Sequence, residues 1–278
     1  MAADTAGDRF VRVDDGDMHV VLDGAVDAPV VLLIHGLAGS TASWDQVVPA
    51  LASTHRVIRV DLFGHGKSTS PADGYDIPTQ ARRVGAALDE LGVGRVTVIG
   101  HSTGGSVATA LAEQRPDVVG ALALVNTGPS LDARITQSLL NRLMMTGLGR
   151  LLWPLRTPDL ARKAFRAAIT RPIDIPEAVV ADLLGMTHRA LAATSRASLD
   201  YLGQRSLPAR LAPLGLTVLV IFGAEDKRWR SASAATYRVI PDVRIELLPG
   251  VGHTPMLEDP QTTGTLLREF AATAGHAR

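Results

Sequence analysis

A serine bracketed by glycines at two-residue spacing, Gly100-His101-Ser102-Thr103-Gly104, follows the β-branched run Val96-Thr97-Val98-Ile99. The small, helix-compatible stretch from Ser106 to Gln114 comes directly after it. Strand, sharp turn and helix in that order form the one local arrangement that holds a serine hydroxyl clear of a sheet edge. The turn forces the serine into a strained backbone, and the glycines remove the Cβ atoms that would collide there. The helix behind it points its positive end at any negative charge that develops beside the hydroxyl. These residue types at this spacing point to nucleophilic attack on a carbonyl, with Ser102 as the attacking group.

A serine hydroxyl is a weak nucleophile without a base, and the base needs a carboxylate to orient it. Eight histidines are available. His253, in Pro249-Gly250-Val251-Gly252-His253-Thr254, lies in a glycine-bracketed loop after the last strand-like run and completes the order serine, acid, histidine. His35 and His65 also sit in glycine loops, but early in the chain. His101 neighbours the nucleophile and should turn away from it. His19, His55, His188 and His276 have no strand-end setting. For the acid, Phe222-Gly223-Ala224-Glu225-Asp226 follows the penultimate strand and offers both Glu225 and Asp226. Asn126, at the end of the preceding strand, cannot carry the charge. Two backbone N–H donors must converge on the oxyanion. Thr103, at the helix N-terminus, supplies one, and Leu37 in the loop His35-Gly36-Leu37-Ala38-Gly39-Ser40 is the expected second.

Elements able to hold these residues recur along the chain. Residues 10–14 and 18–23 read as a hairpin across Asp15-Gly16-Asp17. Val30-Val31-Leu32-Leu33-Ile34 is a continuous apolar run, as in a strand buried on both faces of a parallel sheet. Trp44, Val47, Val48 and Leu51 fall on one helical face, as do Val84, Ala87, Leu88 and Leu91. Val57-Ile58-Arg59-Val60, the run before Ser102, Ala121-Leu122-Ala123-Leu124-Val125, 216–222 and 243–248 are further strands. Helical stretches are expected near 231–240 and 262–272. The alternation predicts an α/β fold, a mostly parallel eight-stranded sheet with helices on both faces. Between Pro129 and Pro213 no strand is evident, only helical segments near 135–146, 160–169 and 177–201. So long an interval is no structureless loop. It is expected to form a helical cap inserted after the sixth strand, with residues 1–128 and 214–278 as the core.

Composition narrows the possibilities. The 278 residues are 46% hydrophobic and 20% charged, with 28 basic and 28 acidic side chains giving a net charge of zero. No electrostatic footprint for nucleic acid is present. There are no cysteines, which excludes a thiol nucleophile and disulfides. With no apolar leader and no run of about 18 apolar residues, a soluble, cytoplasmic protein without membrane contact is expected. No metal site and no cofactor are called for.

Taken together, His35-Gly36, Asp61-Leu62-Phe63-Gly64-His65-Gly66-Lys67-Ser68, Gly100-x-Ser102-x-Gly104, Gly223-x-x-Asp226 and Gly252-His253 resemble the α/β-hydrolase fold superfamily, in that family's order and over nearly the whole chain. The resemblance implies Ser102 as nucleophile, Asp226 rather than Glu225 as acid, His253 as base, and Leu37 and Thr103 as oxyanion donors. It also implies that 129–213 is the cap. Many relatives carry an aliphatic residue and a proline after the acid; here Lys227-Arg228-Trp229-Arg230 stands instead, to line the pocket or to tie cap to core. Serine at 102 argues against relatives that displace alkyl groups with an aspartate. Ester and lactone hydrolysis leads, with C–C bond hydrolysis, thioesterase, acyltransferase or perhydrolase chemistry and a small-molecule sensor that keeps the triad as alternatives. Met144, Met145, Trp153 and Met186 in the cap, with Trp229, suggest a small-molecule substrate bearing an apolar acyl or alkyl group, and equally suit a cap filling its own interior.

Overall fold

Strand residues alternate between two separate interiors, and that alternation organises the molecule. In a computed structural model, which describes residues 7–136 and 143–274, Leu32 and Ile34 join one buried cluster while Val31 and Leu33 join another. An apolar run of this kind makes sense only with helices covering both sheet faces.

The sheet has eight strands in the order β1-β2-β4-β3-β5-β6-β7-β8. They are β1 (Gly7–Val13), β2 (Gly16–Asp23), β3 (Val30–Ile34), β4 (Arg56–Val60), β5 (Val96–His101), β6 (Val119–Val125), β7 (Thr217–Gly223) and β8 (Val243–Leu248). β1 and β2 form the expected hairpin, with β1 beginning three residues and β2 two residues earlier than the sequence pattern suggested, and β2 pairs antiparallel with β4. Every pairing from β4 to β8 is parallel. The C-terminal ends of β3, β5, β6, β7 and β8 therefore open on one edge, where loops from distant parts of the chain meet.

On one face pack α2 (Ile77–Glu90) and α3 (Thr103–Gln114), with Val84, Leu88, Val107 and Leu111 in the cluster of Leu32. On the other lie α1 (Val48–Ala52) and α10 (Pro260–Ala274), with Leu51, Leu267 and Phe270 in the cluster of Val31. The helix expected across Trp44–Leu51 divides into a 3-10 turn (Thr41–Trp44) and α1, because Pro49 at the start of α1 has no N–H to continue the ladder. The stretch 231–240 is likewise 3-10 rather than α.

Between β6 and β7, the described residues form α4 (Gly147–Leu152), α5 (Pro158–Arg166), α6 (Glu177–Gly185), α7 (His188–Gln204) and α8 (Leu207–Leu211), and no strand. Part of the helix expected at 135–146 lies outside the described residues. The segment 177–201 is two helices: α6 stops at Gly185, and Thr187 caps α7 by accepting the Ala190 N–H at 3.1 Å. Among the described residues no helix is long and apolar enough to cross a membrane.

Candidate active site

Ser102 sits between β5 and α3 with φ 51° and ψ −117°, a conformation that non-glycine residues rarely adopt. The glycines around it let backbones touch. A Cβ on Gly100 would lie 2.5 Å from the Gly104 carbonyl, and one on Gly104 would lie 2.3 Å from the Ile34 carbonyl. The N-terminus of α3 is thereby pressed against the end of β3. The Ser102 N–H donates to Val125 O at 2.9 Å and anchors the turn to β6.

Ser102 Oγ lies 3.1 Å from His253 Nε2. His253 Nδ1 lies 2.9 Å from Asp226 Oδ2 and 3.2 Å from Oδ1. Three strand ends, those of β5, β7 and β8, thus bring one hydroxyl, one carboxylate and one imidazole into a line. Since the carboxylate can only accept, Nδ1 carries the proton and Nε2 is left to face the serine. Of the two acid candidates, Asp226 is buried and joins this line, whereas Glu225 is exposed.

Three groups besides His253 bear on Asp226. The N–H groups of Arg228 (2.6 Å) and Trp229 (3.3 Å) donate to Oδ1, and Asn126 Nδ2 donates to Oδ2 at 2.7 Å. Burial acts to raise the carboxyl, but the His253 charge and hydrogen bond, the Arg228 N–H and Asn126 together hold it below the usual carboxylate range. Asp226 therefore stays ionised in the interior. Asn126 is fully buried, has φ 44°, accepts the Gly223 N–H at 3.1 Å and donates to Gly252 O at 3.0 Å. It brackets the acid loop and the histidine loop at once. Sequence reasoning weighed Asn126 only as an acid and missed this role.

His101 does turn away from Ser102. Its Nε2 donates to the carbonyl of His253 at 2.9 Å, and burial, with the nearby His253 charge, pushes its value down to about 3, so it remains neutral. His35 donates from Nδ1 to Gly36 O (2.8 Å) and accepts the Leu62 N–H on Nε2 (3.0 Å). These bonds stiffen the loop that carries Leu37. Thr103 opens α3, and Leu37 packs with Ala38, Met145 and Trp153 against Tyr75, Met186, Ala190 and Leu191. Trp153 is fixed by its indole N–H on Met186 O at 2.8 Å. Trp229 is 9% exposed with its ring over Gly128, where an added Cβ would lie 2.2 Å away. Beside it, the Ile135 N–H donates to Arg228 O and the Arg230 N–H to Ala133 O, both at 2.9 Å, tying the segment after Asp226 to the stretch that follows β6. No group of three or more His, Asp or Glu side chains among the described residues is arranged to hold a metal ion.

A second carboxylate is perturbed where the end of the Leu37 loop meets α6. Asp182, on α6, accepts a hydrogen bond from the Ser40 hydroxyl at the end of the Leu37 loop. It lines a cavity of about 350 Å³ with Asp8, His19, Asp45, Arg59, Asp61 and Lys67. Burial outweighs the Ser40 bond and, with the charges of Asp61 and Asp45, pushes the Asp182 carboxyl up to about 6, against the pull of Lys67. An acid whose folded value lies above its ordinary one takes up a proton on folding between the two values. Stability is therefore expected to fall as pH rises from about 4 to about 6. Asp182→Asn keeps an acceptor for Ser40 and removes the charge. It should raise Tm at pH 7.5 by about 2–4 °C, the shift that ~1 kcal/mol gives a domain of this size, and by little at pH 4. Thermal melts of both proteins across this range provide the check; an equal gain at both pH values would contradict the charge argument.

The model of the alpha/beta hydrolase fold family matches residues 29–260. The chain belongs to that family. An uncharacterized protein of Mycobacterium tuberculosis (strain ATCC 25618 / H37Rv) is 32% identical over 263 residues, covering 90% of this chain and 77% of that protein. The 2-(acetamidomethylene)succinate hydrolase of Mesorhizobium japonicum is 26% identical over 290 residues, covering 97% of this chain and 98% of that enzyme. Among solved structures, a thermophilic esterase from Thermogutta terrifontis matches with a TM-score of 0.78 at 22% identity, covering 97% of this chain and 99% of its own. That last likeness speaks for the fold alone.

Proposed function

We propose that this alpha/beta hydrolase is a serine hydrolase that cleaves a carboxylic ester or lactone through an acyl-enzyme. The observation that carries the reading is the line from Ser102 Oγ through His253 to Asp226, with the serine held at a positive-φ turn. His253 Nε2 takes the Ser102 proton as Oγ bonds to the substrate carbonyl carbon. The carbonyl oxygen becomes an oxyanion, held by the Thr103 and Leu37 N–H groups. Collapse expels the alkoxide, which takes the proton from His253. Water then attacks the acyl-enzyme, His253 again takes a proton, and Ser102 leaves with it. Asp226 keeps the imidazole in its tautomer and stabilises its charged form. The chemistry calls on no metal or cofactor.

In this reading residues 1–128 and 214–278 form the catalytic core, and 129–213 close over it as a cap. Met145 and Trp153, packed with Leu37, border the side taken by an apolar acyl or alkyl group, and Trp229 backs it from the acid loop. The reading is tested with esters of short and medium acyl chain and with lactones. Ester or lactone turnover is the expected result. Silence on the whole panel by a folded protein whose Ser102 reacts with a fluorophosphonate would move the assignment to C–C bond cleavage or a sensor.

Cap substitutions carry a separate expectation. Met145→Ala and Trp153→Ala should change the ratio of kcat/KM between long and short acyl substrates by about 10- to 200-fold, the range for a lost apolar contact. The rate of fluorophosphonate labelling should stay close to that of the unaltered protein. An unchanged ratio in both variants would remove these residues from the pocket.

A further inference from the structure

Glu258 is 4% exposed and ends the short helix α9 (Pro255–Glu258), four residues beyond Thr254. Its carboxylate collects five donors from two separate stretches of chain. Oε2 accepts the N–H groups of Gly252 (2.9 Å), Thr170 (2.7 Å) and Arg171 (3.0 Å). Oε1 accepts the Thr254 N–H at 3.1 Å and its hydroxyl at 3.2 Å. The residues flanking His253 on either side therefore donate to the same carboxylate as two successive residues of the 129–213 insertion.

The same seam continues around it. The His253 N–H itself donates to Ala168 O at 3.1 Å, Lys227 Nζ donates to Ile169 O at 2.7 Å, and the Thr170 hydroxyl donates to Glu225 O at 3.1 Å. The Arg171 side chain pairs with Asp259 at 3.0 Å. Packing around the carboxylate is tight enough that a Cβ on Gly252 would lie 2.9 Å from both Glu258 Oε1 and Thr170 N. A buried carboxylate is held only where donors offset its lost hydration, and each donor becomes costly to strand if the carboxylate goes.

We propose that Glu258 is a positioning residue that fixes the backbone on both sides of His253 and fastens it to the 168–171 segment, so that the imidazole reaches Ser102 only while that segment is docked. This rests on His253 being the base. Glu258 does not touch substrate. It acts through the His253 loop, where a displacement of about 1 Å is enough to cost about 100-fold in rate.

The test uses the full-length protein and its Glu258→Gln, Glu258→Asp and Thr254→Val variants. The amide introduced by Glu258→Gln presents a donor where the carboxylate presents only acceptors, so one oxygen's set of N–H groups loses its partner. Fluorophosphonate labelling of Ser102 and ester turnover should fall about 100-fold, in kcat with KM little changed. Hydrogen exchange should quicken together at Gly252, Thr254, Thr170 and Arg171, while β7 keeps its protection. Glu258→Asp should recover part of the rate. Thr254→Val removes only one weak donor; it should label slightly more slowly and keeps the proposal testable if Glu258→Gln does not fold. Labelling at the unaltered rate in Glu258→Gln would overturn the proposal, as would faster exchange at Gly252 and Thr254 without change at Thr170 and Arg171. Ser102→Ala and His253→Ala run alongside: if these retain full turnover, the triad reading has failed rather than this one.

Discussion

Ser102→Ala is expected to abolish turnover, lowering kcat by about 10⁶-fold while leaving the fold intact. In the proposed mechanism the substitution removes the one atom that bonds to the substrate and little else, since the Ser102 hydroxyl's partner in the structure is His253 Nε2. His253 keeps its bonds to Asp226, and the turn keeps its anchor on Val125. The proposed oxyanion donors, Thr103 and Leu37, are untouched, so a residual acceleration of about 10³–10⁴ over water should persist. Ser102→Gly makes the argument sharper. At φ 51° and ψ −117° a side chain costs of order 1–3 kcal/mol, and glycine relieves that strain at an entropic cost of about 1 kcal/mol. The glycine variant should be as inactive as the alanine variant and at least as stable as the unaltered protein. Initial rates on the responsive ester, fluorophosphonate labelling and thermal melts check all three statements. A Ser102→Ala protein with unchanged rates would remove serine catalysis from consideration.

The turn at Ser102 was legible because everything it needs is local: a β-branched run, glycines at fixed offsets and a helix-compatible stretch, all within about twenty residues. The parallel sheet was legible for a related reason, since a strand buried on both faces must be apolar at every position, as Val30 to Ile34 are. His253 came from chain order and a glycine loop. The choice between Glu225 and Asp226 lay beyond local reasoning. Adjacent residues have the same strand-end setting, and which one faces inward depends on the turn that buries Asp226 and exposes Glu225.

What stayed hidden depends on contacts between distant segments. Asn126 does its work only because β6 lies beside β7, so that its side chain spans the Gly223 N–H, Asp226 and the Gly252 carbonyl. Glu258 had a weak local signal, its four-residue spacing from Thr254. Its bonds to Thr170 and Arg171 arise only when the helical stretch between β6 and β7 folds back on the last loop. The break between α6 and α7 was written in Gly185-Met186-Thr187, a helix stop followed by a capping threonine, but the apolar pattern running through it hid the signal.

Asp226→Asn should lower kcat by about 10⁴-fold and Glu225→Gln by almost nothing. The asymmetry follows from what each oxygen accepts. Asp226 holds the Nδ1 proton of His253, and an asparagine there either turns its NH₂ toward the imidazole, forcing the wrong tautomer, or turns its carbonyl and loses the charge that stabilises imidazolium. A second conflict arises at Oδ2, where Asn126 Nδ2 already donates at 2.7 Å: an NH₂ in that place would meet another NH₂ in a buried site. The variant is therefore expected to lose stability as well, by about 1–3 kcal/mol for the stranded donors. Glu225, exposed, holds neither. For the unaltered protein, a carboxylate held below its ordinary range contributes stability that is present above the ordinary value and lost as pH falls through the lower one. Denaturation midpoints should show the Asp226→Asn penalty at pH 7 shrinking as the medium is acidified below about 4. If Glu225→Gln proved the damaging substitution and Asp226→Asn the silent one, the bonded line through His253 would not be the one that carries the chemistry.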